Sequence, residues 1–321
     1  MCGLCGELRF DGCAPEQGVI ERMKDKLRKR GPDSEGSYIS APVAFGHRRL
    51  AIIDLTDKAA QPMVDEPAGV SLVFNGTIYN YPDLRKELQA LGHTFKSTGD
   101  TEVILRSYIE WGENCVARLQ GMFAIAIWNS KKQVMLLARD RSGIKPLYFS
   151  QTAQRLLFAS NTQALIHADD KLDTSIDATA LHHLFTLHAV VPAPRTVVNG
   201  IRKVKPAHYM LIDKAGEVQE KRYWSLTAKR PDKAMSEQDW VTAVHDELRR
   251  AVEKRVKIAD VPVGVLLSGG IDSSLLVGLL AEAGQKGLKT FSVGFEDAPE
   301  EKGNEFEYSD AVAEKFATCL L

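Results

Sequence analysis

The chain has 321 residues, 44% of them hydrophobic and 26% charged, with a formal net charge of −1. That balance suits a globular protein of about two domains with sizeable cores. It lacks the basic surplus that marks a nucleic-acid or anionic-membrane partner. The longest apolar run, about seven residues at Met122–Trp128, falls far short of the ~20 needed to span a bilayer, and no basic-then-apolar leader opens the sequence. Five cysteines, an odd number in a chain of this size, argue against a disulfide framework and fit a reducing cytoplasm.

Met1-Cys2-Gly3 opens the chain. Methionine aminopeptidase trims Met1 when the next residue is small. Trimming would leave Cys2 with a thiol whose ordinary pKa is about 8.5 and a free α-amine at about 7.7–8. A nucleophile carrying its own base is a way to cleave amides. Cys2-Gly3-Leu4-Cys5 is also a CxxC, but no strand precedes it and no second Cys or His pair follows at zinc spacing. Cys5 therefore reads as a buried side chain of the first strand.

Cys2–Phe10 reads as that strand. Glu16–Lys29 reads as a helix with apolar Val19, Ile20, Met23 and Leu27 on one face, stopped by Arg30-Gly31-Pro32-Asp33. Val43–Ile53 and Ser71–Phe74 are strand patterns, and Asn75-Gly76 alone makes a good hairpin turn. Asp83–Leu91 and Thr101–Arg118 read as helices, with Gly92 a C-cap of the first. Met122–Trp128, Gln133–Ala138 and Leu156–Ala159 return to strand. The pattern predicts two packed antiparallel sheets with helices outside, an α+β layered arrangement. Thr174–His188 reads as a helix and Val204–Ile212 as a short strand pair. Polar Ala228–Ala234, containing Pro231, has linker composition.

The second half changes period. Ser236–Lys257 is an amphipathic helix opened by a Ser236/Asp239 capping box. Val261–Leu267 is a near-continuous apolar strand of the buried parallel type. Asp272–Ala283, Lys289–Phe295 and Phe306–Ala317 follow as helix, strand and helix, the order of an α/β parallel sheet. Between the first strand and helix lies Ser268-Gly269-Gly270-Ile271-Asp272-Ser273-Ser274. Its glycines allow a tight turn, and the helix that follows offers unpaired N–H groups to an anion. It is not a Walker A loop, because Gly270 stands where lysine should be, and GxGxxG is absent.

That loop resembles the pyrophosphate loop of ATP pyrophosphatases. Further ordered motifs accompany it: Arg30-Gly31-Pro32-Asp33, His47-Arg48-Arg49-Leu50-Ala51-Ile52-Ile53-Asp54, Asn75-Gly76-Thr77-Ile78-Tyr79-Asn80, Gly99-Asp100-Thr101-Glu102 and Arg139–Tyr148. With Met-Cys-Gly at the start, the chain resembles the glutamine-hydrolysing asparagine synthetase family over essentially its whole length. The resemblance implies an N-terminal nucleophile (Ntn) hydrolase sandwich of αββα layers, followed by an incomplete α/β parallel-sheet ATP-pyrophosphatase domain. It places a class II glutamine amidotransferase domain at residues 2–213, a linker at 214–235 and the start of a synthetase domain at 236–321.

The resemblance also implies roles. Cys2 would be the nucleophile, its amine relaying the proton to the leaving ammonia, with Asn75 and the N–H of Gly76 holding the oxyanion. Arg49 would clamp the glutamine carboxylate, Leu50, Ile52 and Ile53 would line the site, and Asp100 would pair the ammonium. Thr77 stands where the family has glutamate, which leaves Asp100 most of that pairing. In the second domain Leu266 and Val293 would contact ATP, Ser268, Gly269, Gly270 and Ser273 its phosphates, and Asp272 would help position Mg2+. The partners implied are glutamine and a small carboxylate acceptor, and a homodimer is a possible assembly. Thr77 and the His182–Arg195 segment resemble the N-acetylglutaminylglutamine amidotransferase branch. Plain asparagine synthetase, with aspartate as acceptor, and a glutaminase-only fragment are the alternatives. The family's synthetase half runs well past residue 321, so this chain is expected not to complete the ATP-dependent step.

Overall fold

The computed structural model describes residues 1–285, 287–294, 296 and 306–321. They divide into two units, Met1–Thr227 and Ala228–Leu321. The first unit contains twelve of the strands: β1 Gly3–Arg9, β2 Ser34–Ser40, β3 Val43–Arg49, β4 Met63–Asp65, β5 Val70–Ile78, β6 Gly121–Asn129, β7 Val134–Arg139, β8 Tyr148–Gln151, β9 Arg155–Ala159, β10 Arg202–Lys203, β11 His208–Asp213 and β12 Val218–Arg222. They form two six-stranded sheets, ordered β10-β8-β9-β1-β3-β2 and β12-β11-β7-β6-β5-β4. The helices are α1 Gln17–Leu27, α2 Tyr81–Ala90, α3 Asp100–Trp111, α4 Cys115–Arg118, α5 Thr162–Ile166 and α6 Ala178–Thr186.

The period of two along each strand explains the layering. Leu4 and Leu8 of β1 and Phe45 of β3 pack with Val73, Ala126 and Leu137 of the other sheet, so this core lies between the sheets. Cys5, on the opposite face of β1, packs instead with Ile20, Met23 and Leu27 of α1. Each buried Leu, Ile, Val, Phe or Met among them contributes about 1.5–3 kcal/mol relative to exposure. Leu72 and Phe74 of β5 face outward onto Val103 and Leu105 of α3. The layers are thus helix, sheet, sheet and helix, the αββα sandwich expected.

Several boundaries differ from the sequence reading. Thr101–Arg118 is not one helix: α3 ends at Trp111, where Gly112 takes φ +58, and the chain restarts as α4. Asn75-Gly76 is not a turn but the interior of β5, in register with Ala124 and Phe123 of β6. The sheet partner, absent from any local pattern, overrides the turn chemistry. Residues 214–235 are not linker throughout, because Val218–Arg222 pairs along β11 as β12.

The second unit holds α7 Glu237–Lys257, β13 Gly264–Leu266, α8 Ile271–Glu282, β14 Lys289–Phe291, α9 Phe306–Lys315 and β15 Cys319–Leu320. The predicted capping box is present, with Asp239 N–H donating to Ser236 Oγ at 3.2 Å and Ser236 N–H to Asp239 Oδ2 at 3.1 Å. The strands pair in parallel in the order β13-β14-β15. Two strands were expected. The third arises because the chain after α9 turns at Ala317, φ +49, and lays Cys319–Leu320 beside β14. Part of the predicted Lys289–Phe295 strand lies outside the described residues, since Phe295 does. No helix among the described residues is long and apolar enough to cross a membrane.

Candidate active site

One end of the first unit's sandwich opens into a cavity of ≈ 230 Å³, a size for a ligand smaller than the drug-like compounds that fill ~300–1,000 Å³ pockets. Cys2 reaches it from the start of β1, Arg49 from the end of β3, and Asn75, Gly76 and Thr77 from β5. Leu50, Ile52, Ile53 and Asp100 complete the set. Every residue that the sequence assigned to the glutaminase site lines this one cavity.

The loop after β3 is held by the Arg30–Asp33 turn. Asp33 N–H donates to Arg49 O at 3.0 Å, and Ala51 N–H donates to Asp33 Oδ2 at 2.8 Å. That loop carries Leu50, whose N–H lies 3.3 Å from Cys2 Sγ. A backbone donor there stabilises a thiolate, while burial pushes the Cys2 thiol up from its ordinary value. Arg30 Nε donates to Cys2 O at 3.1 Å and fixes the start of β1. Arg49 is 7% exposed. Its guanidinium donates to the carbonyls of Thr56, at 2.8 Å, and Asp54. Those two bonds set the orientation of the fork and leave further N–H groups for a ligand.

The open edge of β5 leaves donors free at Asn75 and Gly76, the two residues expected to hold an oxyanion. β4 stops opposite Leu72, so beyond it β5 has a neighbour only in β6. Phe123 O accepts from Asp140 N–H at 2.9 Å and Phe123 N–H donates to Asp140 Oδ2 at 3.1 Å, so both groups point toward the β7 side, and its register partner Gly76 must face away from β6. The same holds for residues 74 and 78. Phe74 N–H is capped by Gln61 Oε1 at 2.6 Å and Ile78 N–H by Asp100 Oδ2 at 3.0 Å. Gly76 N–H sits between them on the same edge. A Cβ at Gly76 would come 2.2 Å from Met122 O and 2.8 Å from Phe123 Cα, so only glycine fits. Asn75 is 1% exposed, and its side-chain Nδ2 has no hydrogen-bond partner. A buried amide donor without an acceptor costs about 1–3 kcal/mol, a penalty expected where a ligand supplies the acceptor.

Asp100 begins α3, where a carboxylate suits the positive helix end. Burial raises its pKa to about 6, against the N–H groups of Ile78, Asp100 and Thr101 and the charge of Arg49. Glu102 gathers the preceding loop by accepting from Ser97 N–H and Oγ at 2.7 and 2.8 Å.

Sequence reasoning overlooked three supports. Gln61 caps Phe74 N–H, and His47, buried and pushed down to about 4 by that burial, hydrogen-bonds Phe74 O at 3.1 Å. Lys145 also lines the cavity, although Arg139–Tyr148 reads as turn structure. Its signal was the lysine between Gly143 and Pro146, a charged residue in a segment otherwise built for turning.

In the second unit Leu266 ends β13 and Val293 follows β14, so both lie at the carboxyl ends of adjacent parallel strands. That edge is where open α/β sheets bind ligands. Both side chains are exposed, at 76% and 75%. The Ser268–Ser274 loop turns through Gly269, φ +83, into α8 with Gly270 at its N-cap. Gly270 N–H donates to Ser268 Oγ at 3.3 Å, and Ser268 and Ser273 hydroxyls lie 3.1 Å apart. Asp272 stands in the first turn of α8. Among the described residues no cluster of three or more His, Cys, Asp or Glu could hold a metal.

A family model described as "Glutamine amidotransferase domain" matches residues 1–224. The chain belongs to that family. A second model, "Asparagine synthase", matches residues 243–319 of this glutamine amidotransferase family member. The chain is similar to asparagine synthetase [glutamine-hydrolyzing] 3 of Bacillus subtilis, 37% identical over 92% of this chain and 48% of that protein. It is similar also to asparagine synthetase [glutamine-hydrolyzing] 1 of the same organism, 39% identical over 92% and 46%. The chain therefore spans about half the length of the curated relatives it matches. A solved structure, glutamine phosphoribosylpyrophosphate amidotransferase from B. subtilis complexed with ADP and GMP, aligns with TM-score 0.53 at 14% identity, covering 99% of this chain and 90% of that one. At that identity the likeness establishes the fold, the Ntn amidotransferase sandwich.

Proposed function

We propose that the first unit hydrolyses glutamine at Cys2 to glutamate and ammonia. The observation that carries this reading is the unpaired, buried Nδ2 of Asn75 beside the Gly76 N–H, in a cavity that also holds Cys2. With Met1 removed, the Cys2 thiolate attacks the side-chain amide carbon of glutamine. The C–O π electrons move to oxygen, and the oxyanion accepts from Asn75 Nδ2 and Gly76 N–H. The Cys2 α-amine passes its proton to the amide nitrogen, the C–N bond breaks and ammonia leaves. Water, deprotonated by the same amine, cleaves the thioester to glutamate and restores the thiol. Arg49 binds the substrate carboxylate and Asp100 its ammonium, with Thr77 alongside.

The second unit we read as the start of an ATP-using synthetase half. Ser268, Gly269, Gly270 and Ser273 would hold phosphates, Leu266 and Val293 the nucleoside, and Asp272 a Mg2+ bound mainly through phosphate oxygens, as that ion favours. ATP would adenylate a carboxylate with release of pyrophosphate, and ammonia would then displace AMP from the acyl-adenylate to give the amide. We place this chemistry in the cytoplasm, and the two domains at 2–222, the expected 2–213 extended to take in β12, and 236–321. The acceptor we propose is N-acetylglutaminylglutamine, on Thr77 and the His182–Arg195 segment. Aspartate is the second reading, favoured by the names of the relatives. Two assays separate these claims. Glutamate release without ATP tests the glutaminase, and its absence from the processed chain would end the proposal. Amide nitrogen transfer from labelled glutamine to each acceptor, in the full-length protein, tests the acceptor. Labelled asparagine would overturn the dipeptide assignment.

A further inference from the structure

Lys145 is 4% exposed and lines the same cavity as Cys2. Its backbone is locked in place. Lys145 N–H donates to Asp140 Oδ2 at 2.9 Å, and its carbonyl accepts from Arg139 Nε at 2.8 Å. Its side chain is held far less well. The hydrogen bond found for Nζ is to Met1 Sδ at 3.1 Å, and a thioether is a weak acceptor. Asp140, the nearest carboxylate in charge terms, is already saturated by the N–H groups of Phe123, Ser142, Ile144 and Lys145 at 2.9–3.1 Å. A buried ammonium without an anionic partner is costly. Met1, moreover, is the residue that must depart for Cys2 to gain its amine.

Resting on the glutaminase reading above, we propose that Lys145 is a positioning residue whose ammonium, released from Met1, holds the Cys2 thiol–amine pair in its singly deprotonated, nucleophilic form. The pair gives its first proton to water at lower pH because a fixed positive charge disfavours the doubly protonated state. The thiol and amine titrate as a unit, so the relevant quantity is the apparent pKa of the pair. Other charges face this pair. Arg30 and Asp33 act on the neighbouring amine of Met1, and Arg49 and Asp100 on the Cys2 thiol. Arg30 acts on Lys145 as well, and Tyr148 acts on Arg30. Arg30 gives its Nε to the Cys2 carbonyl, with Nη2 buried and unpartnered, Arg49 is held by two carbonyls, and Asp100 opposes thiolate formation. Lys145 is the cation whose partner is removed by maturation. Burial of the thiol works against nucleophilicity, and Lys145 offsets that.

The test is the pH dependence of Cys2 alkylation by iodoacetamide in the Met1-processed chain, read on the N-terminal peptide by mass spectrometry. Lys145→Met keeps the side-chain length and removes the charge. Lys145→Gln is a second variant should the first not fold, and Lys145→Arg restores the charge. The acid limb should move up by about one pH unit in the Met and Gln variants, which is about a tenfold slower reaction below the pKa, and should return in the Arg variant. An unmoved limb in a folded Met or Gln variant overturns the proposal, as does a shift that Arg leaves uncorrected. Glutamate release by the unaltered chain is measured in parallel and reports on the glutaminase reading by itself.

Discussion

Asp100 links the site to stability in a way that can be measured. Its carboxyl is buried at the start of α3 and titrates at about 6 instead of 3.8. A carboxyl with a raised folded pKa binds its proton more tightly when folded, so its contribution is full below about pH 3.8 and is lost as pH rises through about 6. For that shift the linkage relation gives a loss of about 3 kcal/mol in all, of which about 2 kcal/mol falls between pH 4.5 and 7.5. Asp100→Asn removes the titration. Relative to the unaltered chain, the variant should therefore gain about 2 kcal/mol on going from pH 4.5 to 7.5. Chemical denaturation of both chains at the two pH values, followed by tryptophan fluorescence, measures this difference of differences, in which any pH-independent packing defect cancels. The same charge is assigned to the glutamine ammonium. The unaltered enzyme should thus lose glutamine affinity as pH falls below about 6, and the variant should bind weakly throughout. An identical stability gap at both pH values would refute the argument.

Other consequences follow from the edge of β5. Asn75→Ala should lower kcat of glutamine hydrolysis about 10²–10³-fold with the melting temperature nearly unchanged, because the lost donor has no partner in the free protein. A comparable loss of stability would mean that Asn75 is structural. Gly76→Ala should destabilise the chain by about 1–3 kcal/mol, since the methyl meets backbone atoms of β6 that cannot move alone. Urea unfolding with an unchanged midpoint would contradict that. Thr77→Glu should lower KM for glutamine with kcat preserved. No change in KM would remove Thr77 from the ammonium site.

The sandwich was legible in the sequence because short apolar strand runs such as Met122–Trp128 and Leu156–Ala159 recur between polar turns. Leu4 and Leu8 against Cys5 already separate two cores. The residues proposed for the glutaminase site, far apart in sequence, were legible through a resemblance, not through spacing. Nothing local says that Arg49, Asn75 and Asp100 meet. What stayed hidden depends on partners distant in the chain. Asn75-Gly76 looks like a turn until β6 claims it. Val218–Arg222 looks like linker until β11 pairs with it. His47 and Gln61 look unremarkable until the end of β4 leaves Phe74 to be capped. Lys145 was masked by Gly143 and Pro146, whose turn chemistry is real and which present it to the cavity.

The central claim is that an N-terminal Cys2 is the nucleophile. It is tested most directly by mixing the chain with glutamine, quenching in acid and taking the intact mass and the mass of the N-terminal peptide. The account predicts that Met1 is absent and that a glutamyl thioester is trapped on Cys2. A chain that retains Met1 and still releases glutamate, or an adduct on any other residue, would contradict it.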